Sequence, residues 1–410
     1  MRRATAPHVC FVAPHAWPVV SGDPALPVVG GAEVQQAVLA RLFAANGYRV
    51  SMITLDFGQP PRVDIDGVKV VRAFRMKDGI PVLRFVHPRL STMWRRLGEV
   101  DADIYYYRSA AMWVGVLAAF CRRRGRRLLY AGASDKDFVP GEGGQIRYGR
   151  DRWLYRRGLK AADAIVAQNE RQRADCARHY RRDAVVIPSC YVLPTTSTRA
   201  GSDGYILWVG TLHPGKRPEL LLELAARLPG RRFVMIGGPS DSDPALFERM
   251  RSQAAALPNV QFKGFLPLAQ AEPWFDRAQL VVNTSTYEGM PNTFLQAWAR
   301  GVPTVATVDV DATCHRVATT VDGLAAEVEL LLKMPAQWEN ASRECKAYFE
   351  RTHSSGAALE RYGRLFERLC PPDKGGASET SGGFSVLQNQ TPRSPSAHDP
   401  LNRGSTQVRQ

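Results

Sequence analysis

The turn STYEGMPNTF, residues 285–294, sets a single carboxylate, Glu288, among glycine and proline, where an apolar strand-like run, AQLVVNTST, gives way to a short helix. That helix, carried by Phe294, Leu295 and Trp298 and stopped by Gly301, leads into a second apolar run, VPTVAT. Strand, loop, helix and strand in this order put the turn at the carboxyl end of a buried strand, where open α/β sheets bind ligands. The first amides of the helix, those of Asn292, Thr293 and Phe294, are donors without helical partners at a positive helix end and suit phosphate oxygens. A carboxylate beside them repels phosphate, so it must face something else, and sugar hydroxyls meet that need. The combination predicts a site for a sugar joined to a diphosphate.

Three further loops carry candidate chemistry. In WVGTLHPGKRPELLLELA, residues 208–225, Thr211, Lys216 and Arg217 follow a strand and precede a helix opened by Pro218 and Glu219. Two adjacent cations there can hold both oxygens of a pyrophosphate and stabilise it as it leaves; a solvated loop is the plainer reading. GGAEVQQAV, residues 30–38, opens a helix with Gly30 and Gly31, which lets the backbone approach a phosphate or sugar closely. It lacks the GxGxxG spacing of a dinucleotide fold, so a nicotinamide enzyme is not expected. In LLYAGASDKDF, residues 128–138, Ser134, Asp135 and Asp137 either touch a sugar and activate a hydroxyl or cap the next turn. The DxD spacing recurs at 101–103, 241–243 and 309–311, so it is no specific metal signal, and no metal is expected.

These loops need elements to position them. The first half alternates apolar runs (HVCFVAP, RVSMITL, VKVVRAF, ADIYYYRS, RLLYAGAS, AIVAQN, AVVIPS) with helical stretches such as AEVQQAVLARLFAANG, the pattern of a doubly wound parallel sheet. A Ser/Thr/Gly-rich linker, 195–204, separates it from a second series beginning GYILWVGT. The predicted division is a basic Rossmann-like domain over 1–197, a second Rossmann-like domain over 198–352 and a carboxy-terminal helix over 353–370 that packs back toward the first domain. Residues 371–410, rich in Gly, Ser, Thr, Pro, Gln and Asn, are expected to be disordered.

Charge separates the halves. Residues 1–200 hold 32 Lys and Arg against 17 Asp and Glu, a net of +15, whereas residues 201–410 balance at 22 and 22. RRRGRR, residues 122–127, is the densest run. Such a field favours a phosphorylated substrate, an anionic membrane surface or nucleic acid, and no helix-turn-helix, zinc-finger or RNA-binding signature supports the last. The longest apolar run, AAMWVGVLAAFC at 110–121, is too short to span a bilayer, and the amino-terminal MRRATAPHVCFVAPHAW reads as a first strand rather than a signal peptide. Seven scattered cysteines without CxxC spacing argue against a disulfide framework or a zinc knuckle. A cytoplasmic protein, peripheral at the inner face of a membrane, is the expectation.

Taken in order, GGAE at 30–33, VGTLHPGKRPE at 209–219 and EGMPNTFLQAWARGVP at 288–303 resemble glycosyltransferase family 4, retaining enzymes of the GT-B fold, over about residues 7–370. The resemblance implies two Rossmann-like doubly wound α/β domains facing across a cleft, with donor mainly on 204–352 and acceptor on the basic domain. It implies retaining transfer of a sugar from a nucleotide-diphosphate sugar to a glycan, lipid-linked or small-molecule acceptor, with the nucleotide sugar as co-substrate and no cofactor. The stretch 288–303 is similar to the family's E-x7-E element. On that pattern Glu288 meets the donor sugar's hydroxyls, and Gly289, Met290, Pro291, Asn292 and Thr293 hold the pyrophosphate. Lys216 and Arg217 neutralise the diphosphate, and residue 296 meets the ribose. The chain departs from the family in carrying Gln296 for the second Glu, Thr211 for a usual Arg, and Ala133, Ser134 and Asp135 where many members carry a His. The segment VDVDATCHRVATTVDGL also looks shorter than the family's, which inserts a further strand there. Gln296, the missing His and the short 308–323 segment motivate a second expectation, a non-catalytic scaffold or binding subunit of a polysaccharide assembly; a third is a metal-dependent transferase using one of the DxD sites.

Overall fold

Runs such as VCFV, IYYYR and AIVA are buried at every residue, which suits strands covered by helices on both faces. A computed structural model describes residues 6–371 apart from 24–25, 27–29, 81–84, 142–145, 195–196, 198–203, 241 and 311. The tail beyond Pro371 and most of the 195–204 linker lie outside the described residues.

In the first lobe, β1 (Val9–Val12), β2 (Val50–Thr54), β3 (Arg62–Ile65), β4 (Val68–Arg72), β5 (Ile104–Arg108), β6 (Arg127–Ala131), β7 (Ala164–Ala167) and β8 (Val185–Val186) form one sheet in the order β3-β4-β2-β1-β5-β6-β7-β8. All pairings are parallel except β3 with β4. Its helices are α1 (Trp17–Ser21), α2 (Gly31–Ala45), α3 (Ser91–Val100), α4 (Trp113–Arg124), α5 (Gly149–Ala161) and α6 (Glu170–Tyr180). In the second lobe, β9 (Tyr205–Val209), β10 (Arg232–Ile236), β11 (Val260–Gly264), β12 (Ala278–Asn283), β13 (Thr304–Ala306) and β14 (His315–Val317) run parallel in the order β11-β10-β9-β12-β13-β14. Its helices are α7 (Pro218–Arg227), α8 (Pro244–Ala255), α9 (Leu268–Arg277), α10 (Asn292–Ala299), α11 (Val321–Lys333) and α12 (Pro335–Thr352).

The strand order reverses between β1 and β5 in one lobe and between β9 and β12 in the other, so each lobe has its ligand-binding crevice beyond the carboxyl ends of that pair. The loops 210–217 and 284–291 stand at the second of these points. The strand expected to be missing after VPTVAT is present as β14, paired in register with β13. It escapes a sequence reading because its three residues, HRV, are at least partly exposed at the sheet edge and form no apolar run.

The last helix, α13 (Ser355–Leu369), belongs to the core of the first lobe: Tyr362 and Phe366 present their edges to Phe43 at 5.4 and 5.3 Å, and Phe43 also faces Phe11 at 5.9 Å. The chain thus leaves the first lobe after β8 and re-enters it at His353. There the two crossings are tied, with His353 Nδ1 2.6 Å from the Ser189 carbonyl and the Tyr191 amide donating to the His353 carbonyl at 3.1 Å. The apolar run 110–121 is α4, whose Val114, Leu117, Phe120 and Cys121 are buried. Of the basic run that follows it, Arg126 pairs with Asp101 and Asp103, and Arg127 with Asp163.

Candidate active site

The loop after β9 is stapled to the end of β12. Thr286 donates its amide and its hydroxyl to the Gly215 carbonyl, each at 2.9 Å, and Thr284 Oγ1 donates to the Lys216 carbonyl at 2.7 Å. Arg217 takes a left-handed backbone, φ 44°, which turns its side chain onto β12: Nε donates to the Thr284 carbonyl at 2.8 Å and a terminal nitrogen to that of Ser285 at 3.4 Å. Lys216 points the other way, and its ammonium pairs with Glu288 Oε1. Ser285 Oγ donates to the same oxygen at 2.7 Å and Asn283 Nδ2 lies at 3.4 Å. The two cations of the pyrophosphate reading are therefore separated: one stands at the carboxylate, the other holds carbonyls. Thr211 lies half-buried between Gly210 and Leu212, whose amides donate to the Ile236 and Gly238 carbonyls.

Beyond Glu288 the turn runs into α10. Pro291, which has no N–H, is its buried first cap, and the Phe294 amide donates back to the Pro291 carbonyl at 3.0 Å. Pro291 therefore adds no donor for phosphate, and the Phe294 amide is already engaged. The remaining donors of the turn are the amides of Gly289, Met290, Asn292 and Thr293; Met290 also packs on the core of the second lobe. Gln296 is buried one turn further in, its Nε2 donating to Glu272 Oε1 at 2.9 Å. Glu272 Oε2 accepts from Tyr191 Oη at 2.6 Å and from Arg300 at 2.9 Å, and Arg300 also meets Asp276 at 2.5 Å.

Across the cleft the first lobe presents three pieces. A Cβ on Gly289 would lie 3.3 Å from the Ala133 carbonyl and 3.4 Å from Gln168 Nε2, so this glycine admits the loop after β6. Lys136 sits 3.8 Å over the Tyr287 ring. At the start of α2, Gly30 is the cap, and Gly31 is crossed by Asn292: a Cβ there would stand 3.0 Å from Asn292 Nδ2. Gln35 Nε2 donates to Asn292 Oδ1 at 2.8 Å and to the Cys190 carbonyl at 2.9 Å. In this conformation Gly31 meets the facing lobe through the Asn292 side-chain amide, while the neighbour of Gly30 is Glu33 of its own helix.

Ser134 caps a short turn of helix, Asp135–Phe138, its Oγ accepting from the Lys136 amide. Asp137 closes the box by accepting from the amides of Ala133 and Ser134, and its burial pushes its carboxyl up to about 6. Asp135 accepts from Gln172 Nε2 at 2.9 Å. Of the two readings of DKD, capping describes Ser134 and Asp137, and Asp135 is the member left beside the cleft. A polar chain continues inward. Gln168 donates its amide to Gln172 Oε1, Ser189 Oγ donates to Gln168 Oε1 at 2.8 Å, and the buried Arg108 donates to Ser189 Oγ at 3.0 Å. Glu33, at the first turn of α2, has its carboxyl pushed up by burial against the pull of the helix-start amides.

Sequence reasoning missed Gln35, Gln168, Gln172, Glu272 and Arg300. All five sit within or beside helices, where their spacing matches that of solvated polar residues. Among the described residues no three His, Cys, Asp or Glu side chains converge as a metal site, and no helix is long and apolar enough to cross a membrane.

Comparison with known proteins bears on this geometry. Residues 29–191 match the family described as Glycosyltransferase Family 4, and residues 203–339 match Glycosyl transferases group 1. The chain is 31% identical over 173 residues to the D-inositol 3-phosphate glycosyltransferase of Mycolicibacterium smegmatis, covering 39% of this chain and 40% of that protein. It is 29% identical over 188 residues to the enzyme of the same name from Mycobacteroides abscessus, covering 41% of each. These matches span about two fifths of the length of the curated relatives. Among solved structures, sucrose-phosphate synthase from Thermosynechococcus elongatus superposes with a TM-score of 0.69 at 19% identity, covering 88% of this chain and 99% of that one. Anabaena HepE, solved in complex with UDP and glucose, gives 0.63 at 14%, covering 88% and 100%. The fold is GT-B, and with both lobes matched in order the chain belongs to glycosyltransferase family 4.

Proposed function

We propose that the protein moves a sugar from a nucleotide-diphosphate sugar to a glycan, lipid-linked or small-molecule acceptor, with retention of anomeric configuration. The observation that carries this reading is the Lys216–Glu288 pair, held at the strand-order reversal of the second lobe and facing the 133–136 loop of the first. A diphosphate entering the turn draws the Lys216 ammonium away from Glu288, and the freed carboxylate accepts from the donor sugar's hydroxyls. Amides at Gly289, Met290, Asn292 and Thr293 take the phosphate oxygens, and Arg217 keeps the loop in place rather than touching them. Gln296 meets the ribose with Glu272 behind it, so a carboxylate still stands at this position although the chain carries an amide there.

The acceptor approaches from the first lobe past Asp135. Its oxygen bonds to the anomeric carbon on the face from which the diphosphate departs, while the acceptor's proton passes to the leaving phosphate oxygen. Lys216 and the start of α10 stabilise the charge that develops there. The nucleotide sugar is the co-substrate, and this scheme calls on no metal or further cofactor. The positive field of residues 1–200, and the name borne by the curated relatives, make a phosphorylated polyol one acceptor to test.

The test is a panel of UDP-, GDP- and ADP-sugars, read by the shift in melting temperature and by release of free nucleotide with and without acceptor. One sugar nucleotide is expected to raise the melting temperature and to be turned over. If none shifts it and none is cleaved, the enzyme reading fails and a scaffold of the same fold takes its place.

A further inference from the structure

Two neighbouring surface segments of the first lobe carry features the proposed reaction does not use. Helix α5 buries Tyr155, Gly158 and Leu159 and leaves Arg152, Trp153, Arg156, Arg157 and Lys160 exposed. Their spacing of one, four, five and eight residues makes a single stripe along the helix. Arg147, Tyr148 and Arg150 extend it at the helix start, and the one acid of α5, Asp151, is already paired with Arg150. Arg150 also lies 3.6 Å over the Phe85 ring, which brings the segment after β4 alongside. There Val86, beside Phe85, is 59% exposed, and Trp153 and Tyr148 on the α5 side are 57 and 59% exposed; Met76 and Ile80, earlier in the same segment, are 47 and 65% exposed.

A solvated basic helix accounts for the arginines but not for Trp153, Tyr148 and Val86, three large apolar side chains open to water beside them. The cations are arranged around the aromatic rings, Arg157 at 5.3 Å from the Trp153 ring and Arg147 at 5.9 Å from that of Tyr148. Between α5 and residues 136–141 lies a cavity of about 910 Å³ walled by Lys136, Arg147, Arg152, Arg156 and Lys160, wide enough for an anionic headgroup.

We propose that this face docks on an anionic lipid bilayer, with Trp153, Tyr148 and Val86 entering the headgroup region and the arginines meeting lipid phosphates. The run RRRGRR does not serve this purpose. Arg126 and Arg127 are paired, the apolar stretch before them is core, and the run lies at the amino-terminal edge of β6, away from the cleft. The docking face instead adjoins the cleft, because Lys136 both lines the cavity and covers Tyr287. Docking is independent of the reaction proposed above and is measured without substrate.

The full-length protein is sedimented with vesicles of phosphatidylcholine alone or with a third phosphatidylglycerol, at low and high salt. Binding is expected only to the anionic vesicles and is expected to weaken with salt. Replacing Arg152, Arg156 and Arg157 together by Gln should lower partitioning on the order of a hundredfold. Trp153→Ala should lower it several-fold at either salt, and replacing Arg122, Arg123 and Arg124 by Gln should leave it unchanged. All these side chains are exposed, so unchanged melting temperatures will confirm that each variant folds. Equal binding to neutral vesicles, indifference to the first triple variant, or an equal loss from the second overturns the proposal. So does retention of a short RNA, through the same arginines, by protein that ignores the vesicles.

Discussion

Lys216 and Arg217 are adjacent in the chain, yet one points its charge at Glu288 and the other at two carbonyls. Their replacement should therefore separate two effects. Lys216→Ala removes the more exposed member of the pair, and Glu288 keeps the Ser285 and Asn283 donors, so melting should change little while turnover falls on the order of a hundredfold. Arg217→Ala leaves the Thr284 carbonyl without its donor, while the Ser285 carbonyl keeps the Thr307 hydroxyl, and should cost roughly 1–3 kcal/mol of stability, read by urea denaturation. Similar losses of turnover and stability in both variants would show the two cations acting alike. Glu288→Gln should impair sugar transfer far more than binding of the bare nucleotide diphosphate; parallel losses would reduce Glu288 to a brace of the turn. His353 offers a test by pH. Buried beside Ser189, its imidazole is held down from the ordinary 6.5 to about 4, so it stays neutral in the fold. The stability this represents is complete above pH 6.5 and is lost as pH falls toward 4. His8 acts in the same sense, while Asp137, pushed up to about 6, acts in the opposite one. In His353→Gln the fall in melting temperature between pH 6.5 and 4 should be shallower than in the parent protein, and an unchanged slope would remove His353 from the account.

At the scale of elements, the crossing of α4 and α5 is closer than side chains permit. A Cβ on Gly158 would stand 2.4 Å from the Gly115 nitrogen, and one on Gly115 2.4 Å from the Leu154 carbonyl. Gly158→Ala must push the helices apart and should cost about 3 kcal/mol or more, whereas Gly149→Ala, with open space at the start of the same helix, should be neutral or slightly stabilising. Matching melting curves for the two variants would contradict this packing. The strands were legible because runs such as LVVN and IYYYR are apolar without helical period, and Glu288 and Lys216 because glycine and proline punctuate their loops. The strand β14 was not legible, being short and exposed. Nor were Gln35 and Gln168, since a glutamine in a helix or beside one declares nothing until a second element meets it. Spacing along one chain does not encode which element that will be, and at Asn292 the partner comes from 257 residues away.

At the scale of the molecule, the parallel strands β4-β2-β1-β5-β6-β7 of the first lobe follow the same order as the six strands of the second, yet the lobes differ in their dependence on the chain. The core of the second lobe is built mainly from residues 205–349, whereas the first lobe takes Ala358, Tyr362, Leu365, Phe366 and Leu369 of α13 into its own. The order of synthesis then matters. As the nascent chain leaves the ribosome, the lobe made first waits with Phe43, Phe11 and Tyr106 uncovered until the later lobe has emerged and α13 follows it. A fragment of residues 1–197 should expose apolar surface and be cut rapidly by protease, while 204–352 made alone should resist. Adding a peptide of residues 353–371 should protect the first fragment and leave the second unaffected. If 1–197 proves as resistant without the peptide as with it, the late helix is an ornament on a finished lobe. If not, translation must reach residue 369 before the first strand written in the message is safely housed.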